Sequence, residues 1–73
     1  MLFGPRTGTV VHIQPVDIHG TRMVDVAYQL DGEPQVRLAR LGMEALYGGA
    51  QVGERVIVHI LMNVVTRIER DAT

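Results

Sequence analysis

Arg22-Met23-Val24-Asp25-Val26-Ala27-Tyr28-Gln29-Leu30-Asp31-Gly32 is the stretch that decides the fold class. Val24, Val26, Tyr28 and Leu30 fall on one side of an extended chain, and Met23, Asp25, Ala27 and Gln29 on the other. An apolar side chain at every second position is the pattern of a strand that buries one face. Asp31-Gly32 closes the run with a dipeptide suited to positive φ, a hairpin signal. With Glu33-Pro34 behind it, the loop is expected to reach four residues. A return strand is expected over residues 35–39, with Val36 and Leu38 inward and Gln35 and Arg37 outward.

Upstream, Thr9-Val10-Val11-His12-Ile13 is β-branched and reads as the first strand. Pro15 ends that strand or forces an edge, because proline has no N–H for a ladder. Asp17-Ile18-His19-Gly20 reads as a turn. Downstream, residues 41–47 are too few for a stable free helix, but docked on a core they suit one or two turns. Met43, Leu46 and Tyr47 would then share a side, and Gly48-Gly49 would stop the helix. Val52-Gly53-Glu54-Arg55 turns into a fourth strand over residues 56–62. Val56, Val58, Ile60 and Met62 lie on one of its faces, with Ile57 and Leu61 beside His59 on the other. Asn63 marks a bulge or tight turn, residues 64–69 a fifth strand, and residues 70–73 a frayed tail. Three strands, a helical turn and two strands define an all-β chain. The expected architecture is a small five-stranded OB- or SH3-like barrel with one short helical turn, spanning residues 1–73 as a single domain. Closure would bury apolar faces without leaving long sticky edges.

The chain has 73 residues and weighs 8.1 kDa. Surface scaling gives roughly 4,500 Å² folded against roughly 11,700 Å² unfolded, so stability is marginal and a large substrate cavity is out of reach. A multi-step enzyme with its own cofactor domain is excluded on size. Aromatics are 4% against 47% hydrophobic residues, so the core is expected to be built from Val, Ile, Leu and Met. All seven basic residues are Arg, and the net charge of -1 argues against a dedicated nucleic-acid binder. That charge also offers little protection against self-association. The absence of cysteine removes disulfides, thiolate ligands and thiol nucleophiles together. No apolar run approaches a membrane span. Met1-Leu2-Phe3-Gly4-Pro5-Arg6 lacks the order of a signal peptide, so a cytoplasmic location is expected.

His12, His19 and His59 are the only conventional candidates for acid–base work or for a soft metal such as Ni or Zn. Their spacing fits no helix-borne pair, so surface or interface histidines are expected, with no cofactor. A metal site would need two of them to converge, or to pair across a dimer axis. The hydroxyl groups of Thr7, Thr9, Thr21, Thr66 and Thr73 have no local base motif, and there is no phosphate-binding loop. No catalytic group stands out. Arg22, Arg37 and Arg40 are the residues that a nucleic-acid-binding barrel would use, although Asp25 and Glu33 balance them.

Val52-Gly53-Glu54-Arg55-Val56-Ile57-Val58-His59-Ile60, the following Val65-Thr66-Arg67-Ile68-Glu69, and the early Gly8-Thr9-Val10-Val11-His12-Ile13 resemble blocks of the hydrogenase-maturation chaperone family. That resemblance covers about half the chain and implies a small β-barrel assembly protein. The family begins Met-Cys and uses that cysteine to bind the iron-centre precursor and the immature enzyme subunit; here position 2 is Leu2. The cysteine-dependent activity is therefore not implied. The segment from Gly53 to Ile60 is also similar to the oxyanion-binding barrels of molybdate transporters, without their serine- and lysine-bearing anion motif.

The function expected on these grounds is that of a non-catalytic accessory or assembly protein. It would dock a larger partner, a metalloenzyme being one candidate, through Ile57, His59 and Leu61, and would tend to form a homo-oligomer. The alternatives are a ligand- or metal-binding oligomeric barrel and a nucleic-acid-binding OB-like module.

Overall fold

A computed structural model describes residues 4–72. Met1–Phe3 and Thr73, on which the expectations about a leader and part of the tail fall, lie outside the described residues. Five antiparallel strands form one sheet: β1 (Gly4–Ile18), β2 (Thr21–Leu30), β3 (Arg37–Gly42), β4 (Arg55–Leu61) and β5 (Val64–Arg70). Their order across the sheet is β3-β2-β1-β4-β5, and a single 3₁₀ turn, Met43–Ala45, links β3 towards β4. The all-β expectation is met. The sheet, however, is not closed, because β3 and β5 are not hydrogen-bonded neighbours.

β1 holds the sheet together because it has a partner on each side. Gly4–Thr9 pairs with β4, and Gly8–Ile18 pairs with β2. The strand therefore runs beyond the expected residues 9–13 in both directions. Pro15 does not end it: Pro15 lies in the half that has β2 alone as neighbour, opposite Val24, where its missing N–H costs nothing. Val11 is the extra residue of a bulge between Val10 and His12, which bends the strand so that its two halves meet different partners. Ile18 and Thr21 pair across His19-Gly20, both at positive φ, and Leu61 and Val64 pair across Met62-Asn63, also both at positive φ. These are the tight hairpins whose twist suits paired strands. Met62 therefore belongs to a turn and is exposed, rather than filling the interior.

The second hairpin departs most from expectation. Its connection is residues 31–36, six rather than four, so β3 starts two residues late. Pro34 cannot donate to a ladder and holds Glu33 extended. The Gln29 side chain donates to the Glu33 carbonyl at 2.9 Å, which keeps the loop wide. Side chains alternate faces along a strand, so the inward set must be read from the strand as formed. Leu41 is buried and Arg37 and Ala39 are half-buried on the core side, whereas Val36 and Leu38 are exposed. The inward assignment of Val36 and Leu38 is thus reversed.

The core is Val10, Val24, Val26, Tyr28, Leu30, Leu41, Val56, Val58, Ile60 and Ile68, aliphatic but for one tyrosine. Met is absent from it among the described residues. Ala45, Leu46 and Tyr47 pack against this cluster, while Met43 is exposed. The Tyr47 N–H donates to the Ile68 carbonyl, and Leu46 bridges in parallel to Ile68. The segment after the 3₁₀ turn thus covers part of the β5 edge. The tail is ordered further than expected, since the Asp71 N–H donates to the Arg55 carbonyl.

Asp31 ties the second hairpin to β4. It accepts from Arg55 Nη1 at 2.6 Å and from the Thr7 hydroxyl at 2.8 Å. These hydrogen bonds, led by Arg55, hold its carboxyl down to about 2 from an ordinary 3.8. A carboxyl whose folded pKa is depressed contributes stability above its unfolded pKa and loses it as pH falls through the folded value. Asp31→Asn is therefore expected to lower the urea midpoint at pH 6 and to change it far less at pH 2. An equal effect at both pH values would show that the carboxylate is not what the contact needs.

Candidate functional site

Where β3 and β5 fail to pair, a cleft of about 470 Å³ opens. It is lined from β3 by Arg37, Leu38, Ala39 and Arg40, from the β4–β5 hairpin by Asn63, Val64 and Val65, and from behind by Tyr28. Two large apolar side chains flank it in the open: Leu38 is 78% exposed and Val64 62%. Exposed Leu61 pairs with Val64 at the hairpin end. An edge strand normally avoids apolar exposure of this kind, because unpaired N–H and C=O groups beside it template pairing with another chain.

Arg37, which lines the cleft, belongs to an ionic group that adjoins it. Arg6 lies opposite Val58 and Arg37 opposite Tyr28, so both arginines occupy the core side of their strands. Glu33 lies between them, with Arg37 Nε 3.0 Å from Oε1 and Arg6 Nη2 3.5 Å from Oε2. The guanidiniums, Arg37 first, hold the Glu33 carboxyl below its usual range. One carboxylate against two guanidiniums leaves one positive charge in excess. Tyr28 is 3% exposed, and among the described residues none hydrogen-bonds its hydroxyl. No fully buried polar side-chain atom among those residues lacks a partner. The Tyr28 hydroxyl therefore reaches solvent through the cleft that it lines. Burial pushes its pKa up, so the group stays a protonated donor at neutral pH.

The residues singled out from sequence scatter differently. Ile57, His59 and Leu61 do share the outer face of β4, opposite the buried Val56, Val58 and Ile60. Ile57 is half-buried beside Thr7 and Glu69, and His59 makes a 2.6 Å hydrogen bond with the Glu69 carboxylate. That bond holds Glu69 below the usual carboxylate range. The 3₁₀ turn contacts β2, β3 and β5 but not β4, so it is not what covers this face. His12 lies beside the β1 bulge, His19 at the tip of the first hairpin and His59 in β4. No group of three His, Asp or Glu placed to hold a metal occurs among the described residues.

The three arginines do not form one patch. Arg22 is exposed at the start of β2, and Arg37 turns to Glu33. Arg40, on the opposite face of β3, makes a bidentate pair with Asp25 at 2.7 and 2.9 Å. That pair lowers the Asp25 pKa. The outer face of β2 and β3 has no aromatic side chain on which a base would stack. A second ordered cluster lies at the other side of the β4 entry. The Tyr47 hydroxyl donates to Glu54 Oε1 at 2.6 Å, and Arg70 lies 5.3 Å from the Tyr47 ring centre. Burial, then the Glu54 bond, raises the Tyr47 pKa to about 12. Its members are all engaged with one another, so it reads as a structural clamp.

No protein-family model, curated protein or solved structure matches the chain. Among the described residues no helix is long and apolar enough to cross a membrane. Sequence reasoning placed Tyr28 on the core side but missed its place at the cleft, together with Leu38 and Val64, and missed the adjoining Arg6–Glu33–Arg37 group. The usable signal was cross-strand pairing: a four-residue loop after Leu30 already sets Tyr28 opposite Arg37, which puts Arg37 rather than Leu38 on the core side.

Proposed function

We propose that this chain is a non-catalytic accessory protein that docks a protein partner in the open β3–β5 seam of an OB-like barrel. The strand order, with a helical turn between β3 and β4, supports the barrel reading. The observation that carries the docking is the pair of exposed apolar side chains, Leu38 and Val64, on two facing strand edges with no strand between them. An extended segment of a partner would satisfy edge N–H and C=O groups and cover those side chains together, the mode of β-strand addition. Leu61, next to Val64, extends the same surface onto the outer face of β4, with His59 and Ile57 behind it. The assembly role follows from the resemblance of the Val52 to Ile60 block; with no cysteine in the chain, docking would rest on surface contacts rather than a thiol.

Pull-down with tagged protein tests the surface. Leu38→Asp with Val64→Asp should lose a partner that wild type and Val52→Asp both retain; Val52 is exposed in a loop away from the cleft. Retention by the double variant, with loss instead in His59→Ala/Leu61→Asp, would move the interface to the β4 face. Sedimentation of the wild type at micromolar concentration decides between a foreign partner and a second copy. A dimer that dissociates in Leu38→Asp/Val64→Asp would make the partner another copy of this chain.

A further inference from the structure

The geometry points to an acidic side chain on the docked segment, received by the Tyr28 hydroxyl and Arg37, with an apolar residue two positions away over Ala39. This rests on the reading of the seam as a strand-docking site. Tyr28 and Arg37 are direct cross-strand partners on the core side, and so are Val26 and Ala39 one inward position along. A strand laid against the free edge of β3 extends these two rows by one residue each. Its two inward side chains are then two residues apart. One continues the Tyr28–Arg37 row and the other the Val26–Ala39 row.

The first row is cationic and has a spare donor. Tyr28 is almost wholly buried, and its hydroxyl has no hydrogen-bond partner among the described residues and opens to the cleft. Arg37 bonds Glu33 through Nε alone, and the Arg6–Glu33–Arg37 group keeps one positive charge in excess. A carboxylate placed there accepts from the hydroxyl and from the guanidinium, and charge-assisted bonds of this kind are the strong ones. An amide of the same shape can accept from the hydroxyl but does not offset the charge. The second row ends on Ala39, whose methyl leaves space beside Val65 for a branched aliphatic side chain. The segment recognised is thus acidic–any–apolar, in extended form.

The probe is the hexapeptide acetyl-Ser-Glu-Thr-Ile-Thr-Ser-amide and its Gln counterpart, titrated into isotopically labelled full-length protein and followed by NMR. The Glu peptide is expected to shift Leu38 and Val64 and to bind about tenfold tighter than the Gln peptide, the worth of one charge-assisted bond. Tyr28→Phe keeps the ring in the core, and Arg37→Gln keeps a polar side chain at a half-buried strand position; each should reduce that preference to about threefold or less while leaving the shifts at Leu38 and Val64. Equal affinities on the wild type, with the seam still shifting, would overturn the carboxylate inference and leave docking intact. No shift with either peptide would also overturn it, and docking would then stand or fall on the Leu38 and Val64 variants. Displacement of the Glu peptide by equimolar acetate would assign the seat to free carboxylates and overturn a peptide as occupant.

Discussion

Gly8→Ala is expected to cost about 3 kcal/mol or more, which is a large share of the roughly 4–11 kcal/mol available to a domain of this size. Gly8 lies where β1 is enclosed by β2 and β4, opposite Leu30 on one side and Val56 on the other. A Cβ there would lie 2.6 Å from the Gln29 carbonyl oxygen and 3.2 Å from the Leu30 Cα. Both are main-chain atoms of a paired strand, so no side chain can swing aside. Relief would require β1 and β2 to separate next to the hairpin that carries Asp31. Gly42 makes a useful contrast, because its added Cβ would meet only the flexible end of the Glu44 side chain. Urea unfolding followed by circular dichroism should therefore place Gly8→Ala far below both wild type and Gly42→Ala. A Gly8→Ala midpoint close to that of Gly42→Ala would show that the strands can part at little cost.

Ile68→Ala is expected to destabilise by about 2–5 kcal/mol, the range for emptying a buried aliphatic site. At about 4–8 °C per kcal/mol for a domain of this length, the melting temperature should fall by about 8 °C or more. Ile68 is 2% exposed and pairs with Val58, which is fully buried. It also anchors the segment that covers the β5 edge, through the Leu46 bridge and the Tyr47 N–H. The loss should therefore be uneven. Amide exchange should accelerate first at Tyr47 and along β5, and last in β2, whose inner face is buried throughout. Uniform acceleration across all strands would mean that the β5 edge opens only with global unfolding, and that the seam is no weaker than the rest.

The two predictions draw on different kinds of information. Ile68 was legible as apolar in a strand, and the inward set of β2 was legible residue by residue, because a strand that buries one face repeats every two positions. The inward residues Val56, Val58 and Ile60 of β4 were legible for the same reason. The His19-Gly20 hairpin showed itself through glycine, and the Asn63 turn through a residue that tolerates positive φ. Gly8 was unremarkable in sequence, since what makes it costly to replace is the carbonyl of a residue 21 positions later.

The candidate site was less legible than the fold. The histidines drew notice as the chain's few chemically distinctive side chains, yet they lie on three different elements. Leu38 was expected in the core; its exposure follows from the pairing of Tyr28 with Arg37, since residues opposite each other share a face. Parity along a strand is all-or-none, so that one pairing sets the whole inward set of β3.

From its sequence alone this chain is a small all-β domain with an aliphatic core, because alternation and turn residues are local properties that act within a few positions. Tertiary structure decided which edges remain unpaired, that Arg6, Glu33 and Arg37 meet beside Tyr28, and that the sheet stays open between β3 and β5. Those outcomes depend on how far β1 bends at Val11 and on how the two ends of the sheet approach each other, which contacts between residues distant in the chain set and no local pattern encodes.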